Sequence, residues 1–122
     1  MSISTFIERV KDIVGAEWVF DDPVDRYAYA RDMVTDGLKN YIEVLPDVVG
    51  LPVSTEEIQK IIILANELNV PVFLIGSGSS LLIGSIPTVT GGVTLDARRM
   101  DKLEVDYDNL TVTTEAGVCA LQ

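Results

Sequence analysis

Gly76-Ser77-Gly78-Ser79-Ser80-Leu81 is the stretch of this chain best suited to chemistry, and the chemistry is anion binding. It follows the apolar run Val70-Pro71-Val72-Phe73-Leu74-Ile75 without a break. Glycines and serines at such a point leave successive backbone N–H groups with no secondary-structure partner and no bulky side chain in front of them. Donors so arranged suit a phosphate, and two linked phosphates better still. A Walker A loop requires a lysine followed by Ser or Thr after its last glycine. This loop has no lysine, which disfavours an ATPase. A Rossmann loop requires a third glycine and an immediate helix facing the pyrophosphate. Leu81 stands at that third position, and Leu81-Leu82-Ile83-Gly84-Ser85-Ile86-Pro87 is too short and broken for the helix.

The rest of the composition narrows the chemistry by exclusion. The 122 residues carry 19 acidic and 9 basic side chains, a net charge of −10, which would repel a nucleic-acid backbone. Any phosphate ligand must therefore be held by backbone dipoles or a few local cations. The chain has no histidine, so the commonest general base, a plausible zinc set and a histidyl cofactor link are all missing. Its one cysteine, Cys119, cannot form an internal disulfide, and the Ala-Gly-Val-Cys-Ala context predicts a small buried hydrophobe. No apolar run reaches membrane-spanning length, and Met1-Ser2-Ile3-Ser4-Thr5 lacks a signal-peptide pattern, so a cytoplasmic location is expected.

The elements that must position the loop follow from periodicity. Thr5 to Val14 reads as a helix, with Thr5 and Glu8 as a capping box, Phe6, Val10, Ile13 and Val14 on one face, and Gly15 as its stop. Asp21-Asp22-Pro23 and Asp36-Gly37 read as turns around a short amphipathic piece, Arg26 to Asp32. Asp47 to Pro52 reads as a buried strand closed by proline. Ser54-Thr55-Glu56-Glu57 opens a helix whose Ile58, Ile61, Ile62, Ala65 and Leu68 share a face, and which Asn69 and Pro71 end. Residues 71–75 return as a strand. Strand, helix and strand make a βαβ unit, and ligands of such units gather beyond the carboxyl ends of the strands. Val93-Thr94-Leu95 is a further strand. Leu103 to Asp106 and Leu110 to Thr113 alternate with period two, predicting a hairpin with one buried face. Asp101, Glu104, Asp106 and Asp108 fall on its solvated side and turn. Trp18, Tyr27 and Tyr29 read as packing residues. The expected fold class is α/β with α+β character: a small parallel sheet flanked by helices, followed by an antiparallel hairpin.

The ordered segments resemble a known family. Tyr29 and Asp32, Val48-Val49-Gly50-Leu51-Pro52, Ser54-Thr55-Glu56-Glu57, the Gly76–Leu81 loop, Gly91-Gly92-Val93-Thr94-Leu95-Asp96, Arg99-Met100 and Glu115-Ala116-Gly117-Val118 occur in the same order there. The chain resembles the N-terminal part of the FAD-binding domain of the vanillyl-alcohol oxidase and p-cresol methylhydroxylase flavoproteins, in the branch of glycolate oxidase and D-lactate dehydrogenase. The resemblance implies FAD as cofactor, with its pyrophosphate on the backbone amides of Gly76, Ser77, Gly78, Ser79, Ser80 and Leu81. It also implies that Pro52 and the Glu115–Gly117 turn lie near the cofactor. Charge-assisted bonds of this kind are worth roughly 1.5–3 kcal/mol each. Two positions depart from the family: Ile75 stands where it has arginine, and Ile83 where it has a small residue. Arg98 and Arg99 are the nearest basic residues in sequence, and solvent exposure is their simplest reading.

The resemblance further implies oxidation of a 2-hydroxy acid such as glycolate or D-lactate by a flavin-linked oxidoreductase. Residues 1–122 correspond to one N-terminal portion, and the flavin-ring surroundings, substrate domain and catalytic base of the family lie beyond Gln122. This segment is expected to bind and orient the cofactor, completed by a further region or a second subunit, and to hold no catalytic residue. An alternative is a truncated, non-catalytic interaction module with an unused loop, which an exposed apolar surface would favour. A third is a small module for a nucleotide other than FAD.

Overall fold

The computed structural model describes residues 2–30, 44–79 and 84–119. Helix α1 runs Ile3–Val14 and buries Phe6, Val10 and Val14, the face its spacing predicts. It begins ahead of the expected capping box. Ser2 is the N-cap and makes no side-chain cap bond, while Glu8 accepts from Lys11 at 3.2 Å instead of reaching back. After a short 3-10 turn at Ala16–Trp18 come strand β1 (Val19–Phe20) and helix α2 (Pro23–Ala28). Asp22 caps α2 by accepting from Val24 N at 2.8 Å, with Pro23 at the first helical position. The expected Asp-Asp-Pro turn is thus a helix start, and the amphipathic piece assigned to Arg26–Asp32 begins earlier. Asp32 and the Asp36-Gly37 turn lie outside the described residues.

Strand β2 (Val48–Gly50) is buried throughout. Helix α3 (Thr55–Leu68) starts as expected: Ser54 Oγ accepts from Glu57 N at 3.2 Å, and Glu57 Oε2 accepts from Val53 N at 2.8 Å. Its stop is also the predicted one, since Asn69 adopts the left-handed conformation with φ 54° and caps the helix. Strands β3 (Val72–Ile75) and β4 (Val93–Asp96) follow. The sheet order is β1-β2-β4-β3, with β4 parallel to both β2 and β3 and β1 antiparallel to β2. The strand-helix-strand unit is therefore present, with β4 inserted between its two strands.

The core lies on one face of this sheet. Phe6, Val10 and Val14 of α1 meet Ile61, Leu64 and Ala65 of α3 over Val48, Val93 and Leu95. Each fully buried side chain of the larger types contributes about 1.5–3 kcal/mol by leaving water. Alternation along β4 sends Thr94 and Asp96 to the opposite face, where both are nevertheless buried.

Strands β5 (Leu103–Asp106) and β6 (Thr111–Thr114) form a separate antiparallel ribbon. Asp106 closes its turn, Oδ1 accepting from Asp108 N and Asn109 N at 3.0 Å. Leu110 belongs to the turn, in a left-handed conformation with φ 54°, so β6 starts one residue later than its alternation implies. Register places Leu103, Val105, Val112 and Thr114 on one side of the ribbon and Glu104, Asp106, Thr111 and Thr113 on the other. The expected buried face is exposed: all eight strand residues are open to solvent. Period-two alternation makes a face apolar, but burying it takes an opposing surface, and no described element packs there.

Candidate functional site

The parallel strands deliver their C-terminal ends to one edge of the sheet. Ile75, the last residue of β3, is in register with Asp96, the last residue of β4. The Gly-Ser loop leaves the sheet at this point, beside the 3-10 turn Ala97–Arg99 that follows β4. A cleft of about 520 Å³ opens here. Its walls are Leu74 and Ile75 at the strand end, the loop from Gly76 to Ser79, Gly84 with Ser85, and Ala116.

Close approach fixes the loop's shape. A side chain at Gly76 would put its Cβ 2.9 Å from the carbonyl oxygen of Ala116, closer than packed atoms tolerate. Gly78 has φ 77°, a left-handed conformation, and its Cα faces the Ile75 side chain. Ser77 Oγ and Ser79 Oγ lie 3.1 Å apart and share a hydrogen bond. Among the described residues, the N–H groups of Gly76 to Ser79 find no acceptor outside the strand ladder. The described side chains lining the cleft are apolar, absent or hydroxyl, an arrangement that can bind and orient an anion.

Beside the cleft is a buried charge. Asp96, 1% exposed, accepts from Tyr29 Oη at 2.7 Å and from Arg98 Nε at 2.7 Å through Oδ2, and from Arg98 N at 3.0 Å through Oδ1. Arg98 Nη2 also reaches the Tyr29 hydroxyl at 3.3 Å. Burial, and then the hydrogen bond to Asp96, push the Tyr29 phenol well above its ordinary value. Arg99 is engaged elsewhere. Its guanidinium lies 3.9 Å from the Trp18 ring centroid, and Nη1 donates to Leu51 O at 2.7 Å. Neither arginine is simply solvated charge, and neither lines the cleft.

Of the residues expected at the site, Gly76, Ser77, Gly78 and Ser79 come together in the cleft; Ser80, Leu81 and Ile83 lie outside the described residues. Pro52, Glu115 and Gly117 do not line it. Pro52 is fully buried beyond β2. Glu115 closes the base of the β5–β6 ribbon, Oε2 accepting from Lys102 N at 3.0 Å. Gly117 is pressed against the Ala97–Met100 turn: its N–H donates to Met100 O at 2.8 Å, and a Cβ there would collide with Ala97 O. That contact holds Ala116, the middle residue of the expected turn, against Gly76. Sequence reasoning does not point to Gly84 and Ser85, for which a second Gly-Ser pair so soon after the first is the available signal. Cys119, expected to be buried, is exposed. Among the described residues no group of His, Cys, Asp and Glu side chains could hold a metal, and no helix is long and apolar enough to cross a membrane.

Residues 46–121 match the FAD binding domain family. The chain is 34% identical over 115 residues to the glycolate oxidase subunit GlcD of Bacillus subtilis, covering 93% of this chain and 23% of that protein. It is 41% identical over 75 residues to a D-lactate dehydrogenase of Archaeoglobus fulgidus, covering 62% of this chain and 17% of that protein. Among solved structures, an alkyldihydroxyacetonephosphate synthase superposes with a TM-score of 0.81 and 25% identity over 97% of this chain and 25% of its own. p-Cresol methylhydroxylase gives 0.81 with 21% identity over 95% of this chain and 22% of its own, which speaks to the fold alone. The chain thus spans a quarter or less of each of these proteins. The expected α/β architecture and the neighbouring structures agree with the family match, and this chain belongs to the FAD binding domain family, whose cofactor is FAD.

Proposed function

We propose that this chain holds the pyrophosphate of FAD in a flavin-linked oxidoreductase acting on a 2-hydroxy acid of the glycolate or D-lactate kind. The observation that carries the reading is the loop at the end of β3, whose residues Gly76 to Ser79 line a cleft shaped by the Gly76–Ala116 approach, with no backbone acceptor outside the strand ladder among the described residues. A linked pair of phosphates fits it, because the lining offers several backbone donors and the Ser77, Ser79 and Ser85 hydroxyls, with no carboxylate among the described lining residues. Ser80 and Leu81 continue the same role. The identity to a glycolate oxidase subunit and a D-lactate dehydrogenase supports the substrate class. Bound flavin supplies the two-electron chemistry. This chain's residues bind and orient, with Gly76 and Gly78 letting the backbone approach the ligand and Ala116 walling its far side.

Titration of the chain with FAD, followed by desalting and a visible spectrum, tests this. Retained flavin bands are the expected result. Gly78→Val, which forces a β-branched residue into a left-handed position, should remove them; retention by that variant would take the loop out of the site.

A second reading draws on the exposed apolar side of the β5–β6 ribbon, Leu103, Val105 and Val112. A face of this kind serves for docking of further polypeptide, as a continuation of the FAD domain or a second subunit. A chain that binds no flavin but pairs through this face would be an interaction module.

A further inference from the structure

The uncharged surroundings of the loop set its ligand preference. Every residue from Leu68 to Leu95 is without a charged side chain, including all of the loop, all of β3 and all of β4 but its last residue, Asp96. The cleft lining repeats this: among the described residues, Ile75, Gly76, Ser77, Ser79, Ser85 and Ala116 offer donors and apolar surface but no ammonium or guanidinium. Among the described residues, Arg98, two positions past the end of β4, is the cation at this sheet edge, and its charge is already matched. Its Nε and Nη2 both lie 2.7 Å from Asp96 Oδ2, and Asp96 is buried. Arg99 is committed to Trp18 and Leu51 O. Beyond the site, the chain as a whole carries −10, so an approaching anion meets repulsion at long range and neutral donors at short range.

We infer that this loop binds pyrophosphate without cationic help and therefore discriminates by charge, accepting a diester pyrophosphate and rejecting nucleotides with a terminal phosphate. The inference rests on the reading of FAD as the ligand and adds to it. A diester-linked pyrophosphate carries one charge on each phosphorus, which backbone N–H dipoles can solvate. A terminal phosphate adds charge for which the site has no counterpart. Salt has a corresponding effect. Where lysine or arginine holds a phosphate, screening weakens binding; here screening relieves only repulsion, so affinity is flat or rises with salt.

The test is a titration of this chain with FAD, read by quenching of flavin fluorescence, at about 50 and about 500 mM KCl, a span over which the screening length shrinks from about 14 to about 4 Å. The expected Kd falls, or rises by less than about threefold. Ile75→Arg, which places a guanidinium in the cleft wall, should bind FAD more tightly at low salt and lose that gain at high salt. In competition against bound FAD, ADP-ribose should displace at lower concentration than ADP, and ADP at lower concentration than ATP. A wild-type Kd that rises more than about threefold, or the reverse order of competitors, overturns the inference and leaves FAD binding intact. Failure to bind FAD at either salt concentration overturns both together.

Discussion

Tyr29 and Asp96 are 67 positions apart, and their side chains meet at 2.7 Å across the buried end of β4. The hydroxyl donates to a carboxylate that is 1% exposed and whose other partner is Arg98. Hydrogen bonds to a charged group are worth about 1.5–3 kcal/mol, and removing one from a buried carboxylate also leaves a lone pair unsolvated. Tyr29→Phe should therefore lower unfolding stability by about 1.5–3 kcal/mol in urea. Asp96→Ala should cost more, because it leaves both Tyr29 and Arg98 without their acceptor. A loss below about 0.5 kcal/mol for Tyr29→Phe would mean that the phenol is held by packing alone.

The same pair makes stability depend on pH. The folded-state pKa of Tyr29 is raised, first by burial and then by the bond to Asp96, so folding favours the protonated phenol. Its contribution is complete below the ordinary tyrosine value of 10.0 and is lost as pH climbs above it. Unfolding midpoints measured from neutral to strongly alkaline pH should fall above about 10, and the fall should be shallower in Tyr29→Phe. In a spectral titration of the native chain, Tyr29→Phe should remove a phenolate step displaced to higher pH.

Local chemistry was legible in the sequence, and long-range pairing was not. Ser54 with Glu57 and the Asn69 stop are determined by residues within one helical turn, and both ends of α3 fall where those residues place them. The loop at the end of β3 was legible for the same reason. The Thr5–Glu8 box failed because the helix starts earlier: Ser2 is the N-cap, and the Thr5 N–H that Glu8 would have met donates to Ser2 O at 3.1 Å. Insertion of β4 between β2 and β3 is set by packing across the sheet, which no window of residues reports. Arg99 read as solvated charge because its partners Trp18 and Leu51 are remote in sequence, and Arg98 because its near neighbour Asp96 is buried at a sheet edge that a local window does not report. Ala116 reached the cleft only through the contact of Gly117 with the Ala97–Met100 turn.

Arg99 offers a test of guanidinium geometry. It covers the Trp18 ring and donates to Leu51 O, tying the end of β2 to the turn after β4. Arg99→Ala should cost about 1–3 kcal/mol, combining a cation–π contact with a charged hydrogen bond. Arg99→Lys should recover less than half of that, since an ammonium cannot stack flat on the indole while reaching the carbonyl. Full recovery by lysine would show that charge, and not the planar group, holds the two segments together.

Thr94 is a position where polarity works against stability. Its hydroxyl is fully buried on β4 and has no partner among the described residues. Thr94→Val keeps the β-branched shape and removes the unmet hydroxyl. The expected change is a gain of up to about 1 kcal/mol, read as a higher urea midpoint at unchanged slope. A loss above about 1 kcal/mol would reveal a partner for the hydroxyl, and the strand would then owe part of its stability to that bond.

The apolar side of the β5–β6 ribbon separates two accounts of why it alternates. Val105 and Val112 are cross-strand partners, 41% and 57% exposed, with Leu103 beside them on the same side. Were this face part of the chain's own core, Val105→Thr with Val112→Thr would cost several kcal/mol, since each buried valine contributes about 1.5–3 kcal/mol. Because the face is open, the double variant should change unfolding stability by less than about 0.5 kcal/mol; threonine also keeps the strand propensity. It should instead reduce binding of a hydrophobic dye and lower the mass of any self-associated species in concentrated solution. Dye binding and association unchanged from wild type would show that these residues do not present a docking surface, and the interaction-module reading would lose its one supporting observation.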